Sequence, residues 1–504
     1  MNQKILFFNP YCYWPFHFET DLEIIKHHIE QGDKVTVLTC DGDLSSCEPN
    51  PNHNLSICLS CIHRRHQGFK LLKISNKVKF LNLVNLSKSD RKVITNFPKY
   101  PKNLHELKSL FLNNFDLGLA VTSSLIDYIR EPYPNPNNHK EFIKQNIESA
   151  LIVYLSVINH IKKHKPDKMY IFNGRFAPLR AAMRAAQLLS INFDVHERAG
   201  VQGKYSLTSN TYPHDLKTKK VEIESVWNNS KLSELEKIDI GSRWFIERRL
   251  GKDQGWHSFT ANQNKLPDFI DKNKINIVIF NSSQDEFEAI SGWENTIYRS
   301  QNQGIFKLAQ SLQNDKRIDL YLRVHPNLSK ITNSQTKAID KLKGRYSNFH
   351  IIDAEDTINS YDLMDAADCV ITFGSTMGVE AAFYEKASIL AGHSLYEDLN
   401  TCFQVNCHNQ LVKTIKNNLI YVNELSKKNQ KNNAIKYGFY MESNGLFFTS
   451  FQQDGIFKMS YNGLTLEDTV SLDHSNFNRI TRRISKIILL FKYLFIMFFK
   501  NVKL

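Results

Sequence analysis

The residues best suited to chemistry sit at three places where an apolar run stops and polar side chains begin. Cys369-Val370-Ile371-Thr372-Phe373 is short, β-branched and nearly unbroken, as expected of a strand buried on both faces. At Gly374 it stops, and Ser375 or Thr376 can cap the next helix, leaving free N–H groups and the positive end of a dipole toward an anion. Glu380 falls one turn into that helix, where its carboxylate could accept hydrogen bonds from ribose hydroxyls. The second place is Arg323-Val324-His325-Pro326, directly after Leu320, Tyr321 and Leu322. Arg323 carries a donor fork matched to phosphate, and His325 can donate to a phosphate or a phosphorylated leaving group. Pro326 holds the chain extended at His325. The third place is Ser282, Ser283, Asp285 and Glu286, whose hydroxyls could contact sugar or phosphate and whose acids fit the start of a helix at least as well as catalysis. Ligands of open α/β domains bind outside the carboxyl ends of the strands, so three such loops at one edge describe a nucleotide or nucleotide-sugar site.

A second set lies in the N-terminal half. Asn173, Gly174 and Arg175 follow one expected strand, His196, Glu197 and Arg198 the next, and His17 and Glu19 come after the first. These groups suit a polar acceptor whose hydroxyl proton must leave as a new bond forms. Glu197 is the first choice of base, with His17 or Glu19 in reserve; a salt bridge to Arg198 or Arg175 would place the same glutamate there for orientation only. Asn173, Arg175 and Arg198 are the acceptor-side contacts. Separately, Cys40, Cys47, Cys58 and Cys61 could close a tetrahedral structural zinc site that pins a loop, the alternative being unligated thiols.

Two wound α/β units are needed to position these groups. Ile5–Phe8, a helix from Phe18 to Glu30 with Leu22, Ile25 and Ile29 on one face, and Lys34–Thr39 form a β-loop-α-turn-β opening. Cys40 to Cys61 reads as a long loop, and Phe115 to Ser123 as a strand, although the end of a helix fits it equally well. Glu148–Lys162 reads as a helix, Met169–Phe172 as a strand, Ala177–Leu189 as a helix and Asn192–His196 as a strand. From Gly200 to Leu266 the periodicity weakens, with Trp227, Trp244 and Trp256 implying packed structure. Ile275–Phe280 opens a second unit that runs through Asp319–Val324 to the cradle at Gly374. With 504 residues, the expected division is a Rossmann-like acceptor-side domain over 1–267, a Rossmann-like nucleotide-sugar-binding domain over 268–440, and a C-terminal extension over 441–504.

The net charge of +13 suits an anionic substrate or a membrane surface and is too diffuse for nucleic acid, for which no zinc-finger or RNP-like segment is present. The opening MNQKILFFNP reads as a strand rather than a signal peptide, and eight cysteines fit a reduced chain, so a cytoplasmic location is expected. At the other end, TRRISKIILLFKYLFIMFFKNVKL is interrupted by Lys492 and too short in its apolar run to span hydrocarbon. Arg482, Arg483, Lys486, Lys492 and Lys500 could snorkel while Ile487, Leu490, Leu494 and Phe498 enter the interface, which favours peripheral attachment to the inner face of the membrane over a helix buried against the body.

RVHPN and DLMDAADCVITFGSTMGVEAAFYEKASILAG together resemble bacterial capsule or surface-polysaccharide biosynthesis proteins of the GT-B glycosyltransferase type. The likeness is strongest over Ile275 to Asn400. It is also similar to bacterial sialyltransferases, whose HP and Ser/Thr-rich motifs would here be His325-Pro326 and Ser375-Thr376; the acidic-acidic-glycine acceptor motif of the polysialyltransferases is lacking. The resemblance implies two Rossmann-type domains facing a cleft, a C-terminal helical tail, and metal-independent transfer of a sugar from a nucleotide-sugar donor to a glycan or lipid-linked glycan, with no cofactor required. Ser282, Ser283, Arg323, His325, Gly374, Ser375, Thr376 and Glu380 would then hold the donor. Transfer of an alcohol phosphate from a CDP-linked donor, nucleotide-sugar epimerisation and a noncatalytic polysaccharide-assembly role are the alternatives.

Overall fold

The computed structural model of the protein describes residues 2–418 and 424–466. Runs of apolar, β-branched residues form the strands of two sheets. In the first domain these are β1 (Lys4–Asn9), β2 (Lys34–Thr39), β3 (Lys79–Asn82), β4 (Lys168–Phe172), β5 (Asn192–Arg198) and β6 (Lys204–Ser209). In the second they are β7 (Ile275–Phe280), β8 (Ile318–Arg323), β9 (Phe349–Ile352), β10 (Cys369–Thr372), β11 (Ala387–Leu390) and β12 (Phe403–Gln404). The chain then adds β13 (Leu446–Phe447) and a hairpin of β14 (Gln452–Gly455) and β15 (Lys458–Ser460).

The first sheet has the order β13-β6-β5-β4-β1-β2-β3, and only β6 runs against the others, antiparallel to both β5 and β13. The second has the order β12-β11-β10-β7-β8-β9 and is parallel throughout. In each, the winding reverses beside its first strand, between β1 and β4 and between β7 and β10. Those reversals open crevices at the carboxyl ends, and they are where ligands of doubly wound sheets sit. Two Rossmann-type domains joined across a cleft constitute the GT-B-like architecture expected from the sequence. All residues of β8 and β10 are buried, as befits central parallel strands covered by helices on both faces.

Phe115 to Ser123 is not a strand. Leu117–Ile129 is a helix, with Leu117, Ala120, Val121, Leu125 and Ile126 buried at helical spacing. A Cβ on Gly118 would stand 1.9 Å from the Leu107 carbonyl oxygen, so the close approach of the preceding segment requires glycine there. The expected long loop also ends early, because Leu55–Leu71 is a helix that carries Cys58 and Cys61. Between residues 204 and 249, where the sequence pattern weakens, the chain forms β6 and two helices, Leu216–Asn229 and Glu234–Arg249.

The helix Glu424–Ser443 runs through position 440 and packs on Glu234–Arg249, so the chain returns to the first domain, where β13 pairs with β6. Buried Glu23 then anchors residues 449–451. Its carboxylate accepts from the backbone N–H groups of Thr449 (2.7 Å), Ser450 (3.0 Å) and Phe451 (3.3 Å), which docks the approach to the β14–β15 hairpin on the first domain. The basic apolar stretch 482–504 lies outside the described residues. Among those described, no helix is long and apolar enough to cross a membrane.

Candidate functional site

The loops at the carboxyl ends of β7, β8 and β10 enclose a cavity of about 420 Å³. Phe280 ends β7 and Asn281 and Glu286 follow it; Arg323 ends β8 and His325, Pro326 and Asn327 follow it; Ser375, Thr376 and Met377 follow β10. Ser360 and Tyr361 close one side, while Arg248 and the strip Trp256–Phe259 with Thr260 and Gln263 form the facing wall. That strip spans the two domains. Gly255 donates to the Gly200 carbonyl (3.0 Å) at one end, and Ser360 donates to the Gln263 side chain (2.8 Å) at the other.

His325 is held by a short chain of bonds. Its backbone N–H donates to Asn281 Oδ1 (2.8 Å), and the Asn327 N–H donates to its Nδ1 (3.1 Å). Nδ1 is therefore the acceptor, and the neutral ring carries its proton on Nε2. Burial, followed by the nearby Arg323 charge, pushes its pKa down to about 4, so the ring is neutral at pH 7. Asn281 is 1% exposed, and with Oδ1 engaged by His325 its Nδ2 has no partner among the described residues. A buried donor without an acceptor is uncommon and points to a polar ligand. Arg323 serves a different purpose from the one its sequence position suggests. Its Nη1 and Nη2 donate to the carbonyls of Asp353 and Asp356, which anchors the loop after β9 and leaves only Nε without a partner among the described residues.

Gly374 adopts φ 140°, and a Cβ there would meet the His393 carbonyl oxygen at 2.8 Å, so glycine is required. Thr376 is helical and makes no cap with its side chain; Ser375 Oγ instead accepts from the Met377 N–H (3.3 Å). The helix that starts there, Met377–Phe383, spans only seven residues, so its dipole adds little. Glu380 does not face a ribose. Fully buried, it is bound by Arg248 through Nη2 (3.1 Å) and Nε (3.3 Å) and by the Tyr361 hydroxyl, and it holds both of those side chains in the cavity wall.

Ser282 and Ser283 do not line the cavity, although Ser282 Oγ is buried beside Gly374 without a hydrogen-bond partner among the described residues. Ser282 exchanges backbone bonds with Gln301 (3.0 and 2.8 Å) and accepts from Gln335 (2.7 Å), while Ser283 donates to Asp285, which pairs with Arg130 of the first domain. Ser283, through Asp285 and Arg130, braces the domains against each other, whereas Ser282 ties the loop after β7 to helices of its own domain.

In the first domain, the crevice between β1 and β4 gathers His17, Asn173 and Glu197. Asn173 Nδ2 donates to Glu197 Oε2 (2.9 Å), the Arg198 N–H donates to Oε1 (3.0 Å), and His17 Nδ1 lies 3.9 Å from Oε1. The His17 ring packs over Phe172 at 3.9 Å, and burial, then Arg198 and His196, hold its pKa well below the usual histidine range. Glu19 does not join this group. It is buried against the helix Leu55–Leu71 in an ion pair with Arg64, which removes it from any role as base. Arg175 donates to Ser123 Oγ (2.6 Å) and across the cleft to the Asp285 carbonyl (3.4 Å). Arg198 donates to the Ile456 carbonyl at the hairpin tip and lies over Phe16 at 4.0 Å, with Phe457 at 5.1 Å and Trp256 at 5.8 Å. Since Trp256 also lines the second-domain cavity, it joins the two clusters.

Asn281, Trp256 and the hairpin tip escape sequence reasoning. Asn281 is signalled only as the first polar residue after the strand core of β7, while Trp256 sits in the stretch of weakest periodicity.

Cys40, Cys47, Cys58 and Cys61 do converge, lining one small cavity with Tyr11 and Tyr13. Asn50 Nδ2 donates to Cys58 Sγ (3.1 Å) and the Cys12 N–H to Cys61 Sγ (3.3 Å). Among the described residues, no group of three or more His, Cys, Asp or Glu side chains is arranged to hold a metal ion.

No family model and no curated protein matches the sequence. Among solved structures, the chain is similar to the Thermosulfurimonas dismutans KpsC β Kdo 2,7 transferase, at 14% identity over 63% of this chain and 89% of that one, with a TM-score of 0.33. It is similar to UDP-GlcNAc 2-epimerase from Neisseria meningitidis, at 13% identity over 88% of this chain and 97% of that one, with a TM-score of 0.28. A third is the calicheamicin glycosyltransferase CalG4, at 9% identity over 88% and 95% of the two chains, with a TM-score of 0.27. The strand orders of the two sheets carry the fold assignment.

Proposed function

We propose that the protein is a GT-B-type glycosyltransferase that moves a sugar from a nucleotide-sugar to a glycan or lipid-linked glycan of a surface polysaccharide, without a metal ion in the transfer step. One observation carries this reading. At the switch point of the second sheet, the unpartnered Asn281 Nδ2 and the Nε2–H of a neutral His325 belong to one cavity, where they can donate to the oxygens of a leaving nucleotide phosphate. As the bond from the anomeric carbon to phosphate lengthens, negative charge grows on those oxygens. Donors fixed beforehand strengthen their bonds as it does, which lowers the barrier. Ser375, Thr376 and the Trp256–Phe259 strip supply the remaining walls for the donor, and the acceptor enters from the side of His17, Asn173 and Glu197. The basic apolar run 482–504 supports an acceptor presented at the cytoplasmic face of the membrane.

Incubation of the full-length protein with CMP-, UDP-, GDP- and CDP-linked donors, with product analysis, tests this reading. Release of a nucleotide together with a glycosylated acceptor or free sugar is expected for one donor class. Transfer of an alcohol phosphate, recovery of an epimerised nucleotide-sugar, or turnover of no donor would each overturn it in favour of the corresponding alternative.

A further inference from the structure

We propose that Glu286 takes the acceptor's hydroxyl proton in this cleft, an assignment that rests on the transferase reading. Among the residues lining the cavity, Glu286 is the one carboxylate. It is exposed to that space and, among the described residues, receives a single side-chain bond, from Asn327 Nδ2 to Oε1 (2.6 Å), which leaves Oε2 without a hydrogen-bond partner. Three other acids near the cleft are occupied. Glu380 is bound by Arg248 and Tyr361, Asp285 by Arg130 and Ser283, and each oxygen of Glu197 accepts an N–H from Asn173 or Arg198.

A base must keep a lone pair free within reach of the proton it removes, and its proton affinity is best matched to the operating pH. The groups facing Glu286 favour both conditions. Arg130, at the end of the helix Leu117–Ile129, is paired with Asp285; Arg175, after β4, is bonded to Ser123 and to the Asp285 carbonyl; and His325 is neutral. Enclosure between the domains, with Asp285 adding to it, raises the Glu286 carboxyl above its ordinary value of 4.5 despite those guanidinium groups and the Asn327 bond.

The step balances within the cleft. The acceptor O–H gives its proton to Oε2 as its oxygen bonds to the anomeric carbon, the bond from that carbon to the phosphate oxygen breaks with its electron pair leaving on phosphate, and Glu286 afterwards releases the proton to water. Turnover must then rise with pH through the raised carboxyl pKa, since the ionised form is the base.

Glu286→Gln keeps an acceptor oxygen for Asn327 and tests the assignment. With the donor class that the wild-type protein turns over, the variant should lose about hundredfold or more in kcat, keep the donor KM within about threefold, and lack the acid limb that wild-type kcat shows above pH 4.5. A variant that retains kcat within threefold, or shows the wild-type acid limb, overturns the role of Glu286 alone. Failure of the wild-type chain to transfer sugar from any donor overturns the transferase reading and this assignment together.

Discussion

His325→Ala should lower turnover about a hundredfold while changing donor affinity only a few-fold. The loss corresponds to about 3 kcal/mol, the cost of removing one fixed donor from a site where negative charge develops. The asymmetry between turnover and binding comes from timing, because the Nε2–H bond strengthens only as the leaving phosphate gains charge. The protonation state sharpens the expectation. Burial and Arg323 hold the ring near pKa 4, so it donates as a neutral imidazole throughout pH 5.5–8, and the deficit of the variant should be constant over that range. A positively charged histidine would instead lose its contribution near pH 6.5. The same shift predicts an effect on stability: the folded value lies below the unfolded 6.5, so the unfolded chain binds more protons and wild type loses stability as pH falls from about 6.5 toward 4, a loss the alanine variant lacks. Steady-state kcat and KM at pH 5.5 and 8 check the first expectation.

Arg248→Leu should destabilise the fold by about 3 kcal/mol near pH 8. Breaking a buried ion pair costs about 3–5 kcal/mol because it leaves an uncompensated charge, and the lower end applies because the Arg248 side chain is 33% exposed. In the variant, Glu380 keeps, among the described residues, only the Tyr361 hydroxyl as partner, in a position with no exposure to solvent. The double variant Arg248→Leu/Glu380→Leu should recover most of the loss, since the apolar pair buries no charge. Urea denaturation at pH 8 measures both quantities. A single variant within 1 kcal/mol of wild type at pH 8 would remove Glu380 as the anchor of the cavity wall.

The strands that frame the site are legible in the sequence because their own residues decide them. Ile275–Phe280 and Lys34–Thr39 fall where their apolar runs place them, and Cys369–Thr372 ends one residue before Phe373, since a buried parallel strand needs an unbroken run. Leu117–Ile129 is harder, because LGLAVTSS mixes β-branched and small residues, and only the close approach at Gly118 and burial on one helical face decide for helix. Side-chain roles are legible where a neighbour in sequence sets them, as the Asn327 N–H sets the tautomer of His325. They fail where the partner is distant along the chain. Glu380 meets Arg248 at a separation of 132 residues, Asp285 meets Arg130 at 155, and Arg323 is claimed by carbonyls 30 and 33 residues on. Read alone, Glu380 and Arg323 look like ligand-binding charges and Asp285 fits a helix start at least as well as catalysis, yet each braces the site. Glu286, which in the sequence fits a helix start at least as well as catalysis, is the carboxylate facing the cavity.

A donor's phosphate belongs in the space between Asn281, His325 and Ser375 if the protein transfers sugar from a nucleotide. A crystal structure of the full-length protein with the nucleotide of its preferred donor addresses that directly. Phosphate oxygens within hydrogen-bonding distance of Asn281 Nδ2 and His325 Nε2, with the base and ribose along the wall formed by Arg248 and Thr376, are the predicted result. A nucleotide bound away from the ends of β7, β8 and β10, or one whose phosphates contact neither Asn281 nor His325, would contradict it.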